Sequence, residues 1–385
     1  MKRFFALFQW IFLPTATLLA ISFLAPLPIP YYQDFSVLYF ANKALLNGIA
    51  LYDYPAQVEW VLAQTRPDFT FHPYPYPPWY ALATLPIATL PIMVAARMWF
   101  LLNLGMIAAA AWLLTSRWRT PLRLFSILGA VLFIPAFGLL IVGQYSAPVL
   151  LGAALFLWAA RRESALGIAA ALGLMTFKPH IGLFLALAAF GLLIYRRETA
   201  FARRAMLFTL ILAVFLAAVG LLADLAWPLT YLESLGRYRD IPGVQSCGLC
   251  ASLSVGLVRL VTGQPETGKA ALVSIFLGMG LLGLFYWRFR ARLADAALLM
   301  PLAILFTLLV DPYLLNYDYI LLLVPLAMLL ERVRWLAGRA ILALAYLLPW
   351  VALAFGRDGN PLLALSTLLL LILLWRDKAP IASSP

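Results

Sequence analysis

Apolar residues run along this chain in long blocks, and most of the polar residues are gathered into the gaps between them. The blocks fall at 8–29, 95–115, 122–142, 146–160, 164–177, 180–195, 205–227, 270–287, 295–310, 317–330, 338–355 and 361–375. Many approach the roughly 20 residues with which an α-helix crosses a bilayer. The pattern predicts an all-α, polytopic membrane protein of about twelve transmembrane helices, one domain over 1–385. Lys2 and Arg3 precede the first block, which lacks a small-residue cleavage site and reads as a retained span.

Two stretches break the rhythm, at 30–94 and 228–269. In the first, Phe35, Leu38, Ala41, Leu45 and Leu46 recur at helical spacing, with Ser36, Lys43 and Asn47 between them. This predicts a membrane-surface helix over 35–47, closed by Gly48. Next comes Phe71-His72-Pro73-Tyr74-Pro75-Tyr76-Pro77-Pro78-Trp79-Tyr80, too proline-rich for a regular helix and suited to a membrane boundary. The run 79–93, broken by Pro86 and Pro91, reads as half-embedded.

Composition agrees: 64% of the 385 residues are hydrophobic and 11% charged, with a mean hydropathy of +0.93. Soluble domains carry about 25% charged residues. The net charge of +12 would suit nucleic acid if it were clustered on one surface, but it is dispersed among short turns. Those turns hold Arg117, Arg119 and Arg123; Arg161 and Arg162; Arg196, Arg197, Arg203 and Arg204; Arg288, Arg290 and Arg292; Arg332, Arg334 and Arg339; Arg376 and Lys378. With Lys2 and Arg3 they hold 19 of the 28 basic residues and lie on one side of the alternating spans. The positive-inside bias makes that side cytoplasmic, with both termini, and puts both long stretches outside. Only short turns remain inside, and no strand-borne glycine loop for a nucleotide is present, so chemistry is expected at the outer face.

Asp34 opens the surface helix. It reads as an N-cap or as a general base at a cavity mouth. Lys178, between two apolar runs, reads as a phosphate ligand or a snorkelling cation. Arg239, with Arg237, and Arg259 sit in amphipathic outer stretches and are further phosphate candidates. Asp311 and Asp318 bracket a turn and read as boundary polar groups, or as ligands of sugar hydroxyls or a metal, although two carboxylates seven residues apart are no metal signature by themselves. His180 stands beside Lys178 and joins the phosphate candidates. Cys247-Gly248-Leu249-Cys250 is either a local disulfide or an unpaired pair.

Asp34-Phe35, Leu45-Leu46-Asn47-Gly48, Leu51-Tyr52-Asp53 and Tyr76-Pro77-Pro78-Trp79-Tyr80 resemble glycosyltransferase family 87. So, in order, do Gly143-Gln144, Lys178-Pro179, Gln245-Ser246, Asp311-Pro312-Tyr313 and Asn316-Tyr317-Asp318-Tyr319. The resemblance runs over roughly 10–330; His180 and the cysteine pair depart from it. It implies a GT-C-like fold with outer-face juxtamembrane helices and a polyprenyl-phosphate-sugar-dependent hexosyltransferase of mannosyltransferase type. The acceptor would be a glycolipid or glycan, with no metal or other cofactor. It implies Asp34 as the catalytic base or acceptor-positioning group, and Tyr76, Gln144, Gln245, Asp311 and Asp318 around sugar or acceptor. A transporter or flippase is the competing class. Two hydropathy-similar halves would favour it, and the long loops fall at unequal places.

Overall fold

The computed structural model describes residues 33–65 and 71–376. The predicted first span, the amino-terminal basic pair and Lys378 lie outside the described residues. Within them the chain is helical, with no strand and two isolated bridges, Ser246 to Glu266 and Cys250 to Leu315.

The segment 30–94 supplies α1 (Gln33–Leu46), α2 (Tyr54–Gln64) and α3 (Pro78–Ala88). Helix α1 begins earlier than predicted, and it does not lie open on a surface. Phe35, Ser36, Leu38, Ala41 and Asn42 are all buried, and Asn42 donates to Thr84 of α3 at 3.0 Å. Of its expected polar face, Ser36 is buried, Lys43 half-buried and Asn47 exposed; the buried Asn42, outside that face, is satisfied by protein rather than by water.

The bundle follows: α4 (Ile92–Leu114), α5 (Thr120–Leu132), α6 (Ile134–Val142), α7 (Ser146–Arg161), α8 (Ala165–Met175), α9 (Pro179–Tyr195) and α10 (Ala200–Gly220). The second long segment gives α11 (Trp227–Arg239), α12 (Pro242–Gln245) and α13 (Leu253–Thr262). Helices α14 (Thr267–Phe289) and α15 (Ala296–Val310), a 3-10 helix (Asn316–Leu322), α16 (Leu323–Arg332), α17 (Leu336–Ala354) and α18 (Asn360–Arg376) complete it.

Five helical stretches are long and apolar enough to cross a membrane: α4, α10, α14, α17, and α18 with the turn before it. The pair α5 and α6, bent by 58° at Phe133, makes a sixth if it is one broken span. Pro135 explains the break, since it has no N–H to continue the ladder. The other apolar blocks fold as shorter helices such as α7, α8, α9 and α15. Helices α7 and α15 form the buried centre, apolar on every side. Helices α10 and α14 are mostly uncovered, and Leu210, Ile211, Val214, Phe215, Ile275 and Phe276 face outward. A belt this large is tolerable in lipid and not in water.

The two ends of the bundle differ. At one, the arginine-bearing turns are tied together: Trp118 donates to Glu331 at 2.6 Å, Arg196 to the Ala294 carbonyl at 2.6 Å and Arg288 to the Trp375 carbonyl at 2.8 Å. At the other, the two long segments interlock. Tyr231 donates to the Pro75 carbonyl at 3.4 Å and Ser234 to the Tyr74 carbonyl at 3.1 Å. Cys247 and Cys250 form a disulfide here, which settles the alternatives left open by the sequence.

Candidate functional site

Four short reversals bring polar side chains together at the end opposite the arginine turns. Asp34 lies in the first turn of α1. Helix α6 stops at Gly143, whose φ of 73° is left-handed and favours glycine, and Trp99 fixes that turn by donating to the Gly143 carbonyl at 2.8 Å. Gln144 then projects between α6 and α7. Lys178 sits in the turn between α8 and α9. A Cβ on Gly182 would lie 1.7 Å from the Met175 carbonyl oxygen, so glycine is required for this close crossing. Tyr317 and Asp318 open the 3-10 helix, where the Leu315 N–H donates to Asp318 Oδ2 at 3.1 Å.

Gln144 is the hub. Its Nε2 donates to Asp34 Oδ2 at 2.9 Å and to the Tyr317 hydroxyl at 2.6 Å. Its Oε1 accepts from the Tyr145 N–H at 2.9 Å and from Lys178 Nζ at 3.3 Å. An amide has two donors and two acceptor positions, so the Gln144 side chain is fully used. Lys178 also donates to Ser146 at 3.1 Å and pairs with Asp318 at 2.5 Å, with Tyr317's ring 4.8 Å from its ammonium. Ser146 donates to Asp318 as well, and the Tyr145 hydroxyl donates to the Asp34 carbonyl. Lys178 and Asp318 are 2% and 0% exposed, so neither could remain charged there without the other.

Asp34 differs from Asp318: no basic side chain pairs with it directly among the described residues. Burial raises its carboxyl above the ordinary 3.8, against the opposing pull of the Gln144 hydrogen bond and the Lys178 charge. It borders a cavity of about 550 Å³, within the range of small-molecule sites. Tyr76, Gln144, Tyr145, Lys178, His180, Tyr238, Arg239, Tyr313 and Tyr317 share the wall. The Tyr238 and Tyr313 hydroxyls meet at 2.9 Å, and the buried His180 Nε2 has no hydrogen-bond partner. Leu183 of α9 and Ala271 of α14 carry the wall to the outer apolar belt, where Leu183 is 56% exposed.

Of the residues singled out from the sequence, the cavity gathers Asp34, Tyr76, Gln144, Lys178, His180 and Arg239. Asp318 lies behind the wall as the partner of Lys178. Asp311 is buried and caps its own turn, accepting from the Tyr313 N–H at 2.9 Å, and is not on the wall. Gln245 is exposed and off the wall. Arg259 is also off it, paired with Asp358 at 3.0 Å. Asp34 does not act as a simple cap: its carboxylate turns to Gln144, across the bundle. Sequence reading missed Tyr145, Ser146, Tyr238, Tyr313 and Tyr317 as site residues. Tyr145, Tyr238 and Tyr317 each adjoin a residue that was singled out, Gln144, Arg239 and Asp318, while Ser146 and Tyr313 lie two positions from Gln144 and Asp311.

Residues 74–312, well over half of the chain, match the sequence profile of glycosyltransferase family 87. The matched stretch includes Gln144, Lys178, His180 and Arg239, and it stops short of Asp34 and Asp318. Comparison with curated proteins and with solved structures found no match.

Proposed function

The chain belongs to glycosyltransferase family 87, and from that membership we propose that it moves a mannose-like hexose from a polyprenyl-phosphate donor to a glycolipid or glycan acceptor at the outer face of the membrane. One observation carries the proposal. A half-buried carboxylate with no paired cation among the described residues borders a cavity that continues, past Leu183, into the lipid-facing belt. A lipid-linked donor can reach such a cavity sideways from the bilayer. A nucleotide sugar would have to come from the face with the arginine turns, at the other end.

In the reaction, the bond from the sugar's anomeric carbon to the phosphate oxygen breaks, and polyprenyl phosphate leaves with the electron pair. The acceptor oxygen forms the new bond to that carbon and gives its proton to Asp34. A carboxyl raised above its ordinary range is a better match to a base working near neutrality. Gln144, with every polar position engaged, orients Asp34 instead of holding sugar. Lys178 lends positive potential to the polar wall while Asp318 balances its charge. Arg239 and His180, free of buried carboxylate partners, receive the donor phosphate. Tyr76, Tyr238 and Tyr313 offer ring faces and hydroxyls to the sugar.

The test is Asp34→Asn, assayed with a synthetic polyprenyl-phosphate mannose. Asn can still accept from Gln144 Nε2, so folding should hold, while turnover falls at least about a hundredfold, the low end for a general base. Near-normal turnover would remove Asp34 from the chemistry. A transporter or flippase would show no transfer in either form.

A further inference from the structure

A second concavity lies at the opposite end of the bundle, far from the site above. It occupies about 410 Å³ between α5 on one side and α16 and α17 on the other, with the end of α4 as its floor. We propose that this groove holds one acyl chain of an anionic glycerophospholipid, with the headgroup phosphate on Arg339 at its rim.

The walls suit hydrocarbon because their polar groups are already engaged. The Thr115 hydroxyl donates to the Ala111 carbonyl at 2.7 Å, and the Ser126 hydroxyl to the Arg123 carbonyl at 2.7 Å. Tyr346 donates to the Gly129 carbonyl at 2.7 Å and Trp118 to Glu331 at 2.6 Å. What remains is carbon.

Dimensions select the occupant. From Arg339 to Tyr346 along α17 the groove runs about 10 Å at 1.5 Å per residue, inside the roughly 15 Å of one leaflet's hydrocarbon. That length and the carbon lining suit a single acyl chain.

Charge selects the headgroup. Arg339 is exposed, and among the described residues its hydrogen bond from Nε to the Val333 carbonyl at 3.5 Å leaves its terminal nitrogens available. Arg117 and Arg119 flank Trp118, which lines the groove. Among the described residues no carboxylate pairs with Arg117, Arg119 or Arg339. Glu331 accepts from Trp118 at 2.6 Å and, among the described residues, pairs with none of these arginines. A basic rim over an apolar slot at the arginine-bearing face is the arrangement that captures acidic headgroups.

Native mass spectrometry of the purified protein with phosphatidylglycerol or phosphatidylcholine of identical chains tests this. The native protein should retain phosphatidylglycerol in preference. Arg339→Ala should weaken that lipid about fivefold, the ratio for about one basic residue at an anionic surface, and weaken phosphatidylcholine less, because its choline already offsets the charge of the same phosphate. Ala343→Trp, filling the slot, should weaken both. Arg339 is exposed, so its removal keeps the test decisive even where Ala343→Trp fails to accumulate. Equal retention of the two lipids by native protein, or undiminished phosphatidylglycerol in Arg339→Ala, would overturn the proposal. So would a dimer of this chain that Ala343→Trp dissociates, since a second copy would then fill the groove.

Discussion

Replacing Lys178 with methionine keeps most of its volume and removes its charge. Asp318 is then left 0% exposed, with Ser146 and the Leu315 N–H as remaining partners. Breaking a buried ion pair from one side costs about 3–5 kcal/mol. At roughly 2 °C per kcal/mol for a large chain, the melting temperature should fall by about 6–10 °C. The double variant Lys178→Met/Asp318→Asn removes both charges and keeps acceptors for Ser146 and Leu315, so most of that loss should return. Thermal unfolding in detergent, followed by tryptophan fluorescence, measures both. Donor KM, measured on the same preparations, separates the roles. If Lys178→Met melts within about 2 °C of the native protein while donor KM rises at least tenfold, the lysine serves the phosphate and Asp318 is not its essential partner. A double variant as unstable as the single one would also refute the pairing argument, because removing the orphaned Asp318 charge would then have relieved nothing.

Two further outcomes follow from the same geometry. Arg239→Ala should raise donor KM, whereas Arg259→Ala should leave kinetics within about twofold, because Arg259 is an exposed pair with Asp358 off the cavity and such pairs are worth little; steady-state kinetics of both variants decide it. Burial pushes the Asp311 carboxyl from 3.8 up to about 7, so its contribution to stability is full below about 3.8 and is lost as pH rises through about 7. Asp311→Asn, which cannot ionise, should therefore gain stability relative to the native protein between pH 5 and 8, by on the order of 4 kcal/mol at most; melting curves across that range check the sign.

The sequence by itself determined the class of the protein. Transfer free energy is local: each apolar block carries its own signal, so most helices and the arginine turns between them could be read without knowing what they touch. The motifs Gly143-Gln144, Lys178-Pro179 and Asn316-Tyr317-Asp318 were legible as polar interruptions of apolar runs. Their roles were not. Nothing along the chain says that Lys178 meets Asp318, 140 residues away, or that Gln144 bridges them to Asp34. Helix α1 shows the same limit: it reads as a surface helix, yet most of its apolar residues and Ser36 are buried and Asn42 is satisfied by Thr84. Arg259 and Asp358 are the converse, a cation that looked available until the fold neutralised it. Hydropathy is a property of segments, whereas pairing between buried polar groups is a property of positions in space. Only the packed bundle fixes those positions, and so only the tertiary structure decided which charges are neutralised and which carboxylate is left facing the cavity.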